Sequence, residues 1–360
     1  MPSSLTPRER CERAVRFEDV DHVPLTIYES KIPQAEAERK LRNDGLCIVQ
    51  RGPNVFSVRH PNVLDSESHT YVENGRQLTR TVTRTTAGDL TTVSEPAGFT
   101  TWHHEKMFKG PDDYAALLAY ASDVEVVPSY EPFIRMSEMK GGDAVMRGAV
   151  GLEPMQLIIH HWMGVEVFSV EWMERQDEIM KLHDALVEER RKTYPVLAAS
   201  PCEHFNYGGN VTPEIIGPRR FRDYYLPHYE ECCEVLHTAG KLVGCHFDAN
   251  TKIIADAIAE TSLDYIEAFT PAPDTDMTLA EARAVWPDKA LWINFPSSVW
   301  LRSDEQMQEV TLDLLQQAAP GNGLLIGVTE DVPDGRLFPG LQAINRVILE
   351  HGRLPIQPKS

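Results

Sequence analysis

Hydrophobic and polar positions along the chain change rhythm twice. Residues 6–18 carry a helical pattern, with Thr6 as the cap, Pro7 in the first turn and Glu9 three residues after the cap, so a capping box opens the helix. A first strand is expected over residues 21–28. Between about residues 45 and 105 the pattern is Thr-rich alternation broken by Asn74-Gly75 and Gly88-Asp89, which predicts a small antiparallel insertion of two hairpins. From about residue 140 onward, strand, loop and helix alternate. Strands are expected at 144–149, 200–206, 241–246, 263–269, 290–295 and 324–328. Thr212-Pro213 opens a helical region that Pro227 should kink or divide and Gly240 should stop. Ser303 and Gln306 form a second capping box, and the helix behind them places Met307, Val310, Leu314 and Ala318 on one face.

Alternating β and α elements at this spacing imply a parallel sheet. The 360 residues suit one (β/α)8 barrel of about 250 residues plus an insertion. The expected class is therefore α/β, a TIM barrel over residues 1–360 as a single domain, with the β-hairpin insertion at about 45–105. An open doubly wound sheet is the rival, but no glycine-rich dinucleotide loop follows an early strand.

Charge narrows the partners. The formal net charge is −19, with 54 acidic against 35 basic residues, and no basic face of the kind a nucleic-acid binder needs stands out. The six cysteines form no C-x-x-C pair and read as reduced thiols. The N-terminus lacks the apolar core of a signal peptide, and no apolar run is long enough for a membrane span, so a cytoplasmic protein is expected.

In a parallel βα fold the loops after the strands build the active site. The expected strand ends carry Glu203 and Asn206, then His246 and Asp248, then Glu267, Asn294 and Glu330. Glu267, on the strand beside His246 at a spacing of about 4.8 Å, can share a metal ion with it, and imidazole plus carboxylate suits an open Zn2+ site. The same spacing equally fits a structural pair in which His246 donates to Asp248. Cys245 should face the helix layer, and His160-His161 reads as helical packing. The Gly208-Gly209-Asn210 turn is a tight loop whose backbone can approach a ligand.

The opening Thr6-Pro7-Arg8-Glu9-Arg10 running to Asp21-His22-Val23-Pro24, the segment Gly240 to Asn250, and Asp264 to Pro271 resemble the uroporphyrinogen decarboxylase superfamily over nearly the whole chain. Two departures place it nearer the methyltransferase branch. Where the decarboxylases carry an arginine pair for substrate carboxylates, this chain reads Tyr28-Glu29-Ser30-Lys31. Where thiol-methylating members bind zinc through His-x-Cys and a later Cys, it reads His246-Phe247-Asp248 and Val328-Thr329-Glu330.

The resemblance implies an O-demethylase-type enzyme moving a methyl group from a methoxylated aromatic, or another O- or N-methyl donor, to the cobalt of a cobalamin on a separate corrinoid protein. Uroporphyrinogen decarboxylase-like lyase activity and a non-catalytic binding paralogue are the alternatives. On this reading zinc sits on His246 and Glu267, with Glu330 or Asp248 completing the set. Asn206, Asn210 and Asn294 orient substrate, and Tyr207, Phe205 and Trp300 form an aromatic wall. Glu203 or Glu29 is the acid if no metal is present. A homodimer is expected from the resemblance alone.

Overall fold

The computed structural model describes residues 5–98, 100–211 and 213–357, which form two compact units. The first comprises residues 5–55, 130–151 and 200–357, and the second residues 56–129 and 152–199.

The first unit is a ring of parallel strands: β1 Leu25–Tyr28, β2 Cys47–Gln50, β3 Ala144–Met146, β4 Gly148–Gly151, β5 His204–Tyr207, β6 Leu242–His246, β7 Tyr265–Phe269, β8 Ala290–Asn294 and β9 Leu324–Val328. They pair in the order β4-β5-β6-β7-β8-β9-β1-β2-β3, every neighbour parallel. The two end strands are separated in the chain by Arg147 alone, so β3 and β4 are halves of one stave and the sheet closes on itself. Eight staves result, as the alternation of elements predicts. Most of these strands are buried along their length, as expected for a parallel sheet with a filled interior and helices outside.

The inward side chains stack in layers. Tyr28, Cys47, Val49, Val145, Tyr265, Trp292 and Leu325 form one apolar cluster that plugs the interior, joined by Cys11, Ala14 and Val15 of the helix Pro7–Val15. Both expected capping boxes are present, at Thr6/Glu9 and Ser303/Gln306; caps of this kind stabilise a helix by about 1 kcal/mol. The helical region after β5 is divided where expected: Pro213–Tyr224 ends and Leu226–Thr238 begins on either side of Tyr225. Thr212, the expected opening residue, lies outside the described residues.

The second unit contains the antiparallel insertion, a four-stranded meander of Asp65–Glu73, Arg76–Thr85, Gly88–Ala97 and Thr100–Glu105. Asn74 and Gly75, with φ of 51° and 77°, make the first tight turn, which left-handed backbone at both positions requires. The insertion starts later than residue 45, because Cys47–Gln50 belongs to the barrel. The long helix Gln176–Ala198 also belongs to this unit, where Lys192 Nζ donates to Val124 O at 3.1 Å. His160 and His161, expected as packing, are exposed on a π-helical turn, Ile158–Met163. Among the described residues no helix is long and apolar enough to cross a membrane.

Candidate active site at the C-terminal end of the barrel

Adjacent staves place His246 and Glu267 at paired positions, so both side chains enter the interior from the C-terminal end of the ring. His246 Nδ1 lies 2.6 Å from Glu267 Oε2. The other carboxylate oxygen receives Arg147 Nη1 at 2.7 Å and the phenol of Tyr28. Arg147 is the residue at which the third stave breaks, and it is only 7% exposed in its side chain. On the open side of the imidazole, Asp248 Oδ2 lies 3.4 Å from His246 Nε2. Strand β6 ends at His246, so Asp248 reaches the ring from the following loop rather than along a continued strand. Arg51 stacks its guanidinium 3.8 Å from the centre of the Tyr28 ring and pairs with Glu29 at 3.1 Å.

The electrostatics follow from this packing. Burial opposes charge on His246, but the Glu267 charge and the hydrogen bonds the ring donates to Asp248 and Glu267 outweigh it and raise the imidazole pKa to about 10. Burial also opposes charge on Glu267; the Arg147 and His246 charges and the hydrogen bonds it accepts hold it ionised, below the usual carboxylate range. Burial raises the Tyr28 phenol, which remains a neutral donor. At neutral pH the cluster therefore holds a protonated imidazole whose Nδ1–H is fixed by a carboxylate and whose Nε2–H points outward.

Of the residues expected in the site, His246, Glu267 and Asp248 are brought together. Asn206 of β5 shares their inward face, since it pairs with Gly244, two residues before His246. Asn294 is 2% exposed and fully engaged with the barrel: its Nδ2 donates to Thr270 Oγ1 at 3.2 Å and its Oδ1 accepts from Thr329 N at 3.0 Å. It ties strand ends together at the C-terminal end of the ring. Tyr207 points into the helix layer, edge-on to Tyr229 at 5.4 Å, and Phe205 and Trp300 are fully packed, so they form no aromatic wall. Asn210 is an exposed loop residue with φ of 51°.

Glu203 is displaced from the expected place altogether. Strand β5 begins at His204, so Glu203 stands at the opposite, N-terminal end of the ring, paired with Arg16 at 3.2 Å. Glu29 is held by Arg51 at 3.1 Å, away from the His246 imidazole.

The zinc set does not fit. Both oxygens of Glu267 are committed to Arg147, Tyr28 and His246, and a guanidinium in direct contact opposes a second cation there. His246 Nδ1 is itself taken up by Glu267 Oε2 at 2.6 Å, which leaves only Nε2, beside Asp248. Glu330 is exposed, and among the described residues no three His, Cys, Asp or Glu side chains are grouped to hold a metal ion.

Tyr28, Arg51 and Arg147 are absent from the expected site, yet they complete its charge and hydrogen-bond pattern. The register carries a signal for Arg147. Val145 is inward, so Arg147, two residues on, is inward too and sits at the upper end of its half-strand.

No family model and no curated protein sequence matches the chain. Among solved structures, a methyltransferase from Methanosarcina mazei aligns over 96% of this chain and 99% of its own, with a TM-score of 0.61 and 12% identity. A structure of the pneumococcal exo-β-D-N-acetylglucosaminidase StrH aligns over 93% of this chain and 86% of its own, with a TM-score of 0.37 and 10% identity. The first likeness is one of fold; the second is too loose to carry an argument.

Proposed function

We propose that the protein is a methyltransferase that takes a methyl group from an oxygen- or nitrogen-bound donor, a methoxylated aromatic in the first instance, and delivers it to a reduced corrinoid carried by a separate protein. The observation that carries this reading is His246, protonated, clamped at Nδ1 by Glu267 and presenting Nε2 at the C-terminal end of the barrel. The fold likeness to a methyltransferase along the whole chain supports it, as does the sequence resemblance.

An ether is a poor methyl donor because its leaving group is a strong base. When a nucleophile attacks the methyl carbon, the carbon–oxygen bond breaks and its electron pair stays on oxygen. A proton from His246 Nε2 meets that pair, so a neutral phenol departs. The Glu267 carboxylate raises the imidazole above its ordinary pKa, so the ring carries a proton it can deliver to the departing oxygen. Glu267 keeps the ring oriented and charged. Arg147 and Tyr28 hold Glu267 in place. Asp248, at a loose 3.4 Å, accepts the resting Nε2–H and yields it to a substrate oxygen.

The test is a screen of methoxylated aromatics and methylated amines with the protein and a reduced corrinoid acceptor. Transfer is expected in the wild type, falling by about 10²- to 10⁴-fold in His246→Ala, the usual contribution of a positioned acid. Unchanged transfer in both His246→Ala and Glu267→Gln would remove the site from the chemistry. Carbon dioxide released from uroporphyrinogen would replace methyl transfer with decarboxylation.

A further inference from the structure

Two features of the barrel mouth bear on what it accepts. The first is charge balance. Three cations, Arg51, Arg147 and His246, meet three anions, Glu29, Glu267 and Asp248, and each cation lies within 3.4 Å of its carboxylate. Among these six groups a charged ligand would find no free counter-charge and would have to break a pair, at the greatest cost where Arg147 and Glu267 are buried.

The second is Asn206. Its side chain lies on the same inward face as His246, and the residue is 7% exposed. Nδ2 donates to Gly208 O at 3.3 Å, which fixes the amide orientation, since the flipped form would set oxygen against oxygen. Oδ1 is buried and has no hydrogen-bond partner among the described residues. A buried acceptor left in that state is costly, and such groups are ordinarily satisfied by a protein group, an ordered water or a ligand.

We infer that the site selects an uncharged substrate bearing an O–H or N–H donor, and that Asn206 Oδ1 accepts the hydrogen bond from that donor while His246 faces the methyl-bearing heteroatom. Asn206 is thus a specificity determinant. The inference rests on the methyl-transfer reading for the identity of the site, but its test is a binding measurement.

Calorimetric titration at pH 7 with three probes decides it: 2-methoxyphenol, which is neutral with a donor; methoxybenzene, which is neutral without one; and 4-methoxybenzoate, an anion. 2-Methoxyphenol is expected to bind at least about tenfold more tightly than either of the others, because a site built around a polar group rejects ligands that leave it unpaired. Asn206→Leu and Asn206→Ala should each collapse the preference over methoxybenzene. Thermal melting confirms that the variants are folded, and the wild-type ratio stands without them.

Equal binding of the two neutral probes, tightest binding of the carboxylate, or a preference that survives in Asn206→Leu would overturn the inference. Failure of all three probes to bind would overturn it together with the methoxyaromatic reading. The expected ratio without methyl transfer would overturn the function alone; methyl transfer without the ratio would overturn the inference alone.

Discussion

At the residue scale, Glu267 is the hinge of the site, because two hydrogen-bond partners and a guanidinium converge on one buried carboxylate. Its charge keeps Arg147 and His246 tolerable in the interior. Removing it by Glu267→Gln strands two cations, and breaking a buried pair in this way costs about 3–5 kcal/mol. The expected outcome is a large drop in the denaturant midpoint with little change in its slope.

The pH dependence has a definite sign. His246 has a folded pKa raised to about 10 from 6.5. Its contribution is therefore complete below the unfolded value and is lost as pH rises through the folded value. The difference in melting temperature between wild type and His246→Gln should be largest at pH 6 and shrink steadily toward pH 10, read from paired melts. A difference that grows with pH would show that the imidazole is neutral in the native state.

His246 and Asp248 were legible in the sequence because they follow an apolar run at a strand end, and Glu267 because it interrupts the apolar run of β7. Arg147 was not, because the expected strand ran on through residue 149 and buried it in the middle of an apolar segment. Only the break between β3 and β4 turns that position into a strand end. Glu203 failed for the converse reason: strand β5 starts four residues later than residue 200, which moves Glu203 to the wrong end of the ring.

At the element scale, strand register does the positioning. Gly244 lies two residues before His246, and its missing side chain is what admits the Tyr265 ring: a Cβ there would lie 2.1 Å from the ring. Tyr265 in turn donates to Phe205 O at 2.7 Å, so the ring bridges two staves below the site. Gly244→Ala forces the tyrosine out of a fully packed core, and overpacking of this kind costs about 1–3 kcal/mol. Chemical denaturation measures the loss, and methyl transfer should fall with it because β6 carries His246.

Strand β7 has its own device. Ala268 adopts φ of +60°, and the register against β8 shifts between Glu267 and Phe269. Such bulges re-aim side chains near active sites; here Glu267 keeps its inward direction while the chain beyond it changes register. Apart from Cys47–Gln50, which the expected insertion had absorbed, the barrel strands were predictable to within a few residues, since apolar runs bounded by polar loops have few other solutions in an alternating chain. The bulge was not, because alanine carries no sequence signal for left-handed backbone.

At the scale of the whole molecule, the ring follows from the rhythm of elements, whereas the membership of the second unit does not. Residues 152–199 join residues 56–129 across a long interval of chain, through packing that no local pattern encodes.

The charge of −19 is likewise a property of the whole surface and says nothing about the site, where cations and anions are paired one for one. That balance bears directly on metal binding. A divalent cation added to the network would face Arg147 and a protonated His246, and to be held it would have to displace a proton and compete with a guanidinium for Glu267. A metal bound to the native state stabilises it by mass action, so its removal is visible in the melting temperature of the intact protein. The chain purified without added metal is expected to melt at the same temperature before and after dialysis against a strong chelator. Zinc near one equivalent per chain, lost together with several degrees of stability on chelation and absent from His246→Ala, would reverse the assignment of His246 from acid to ligand.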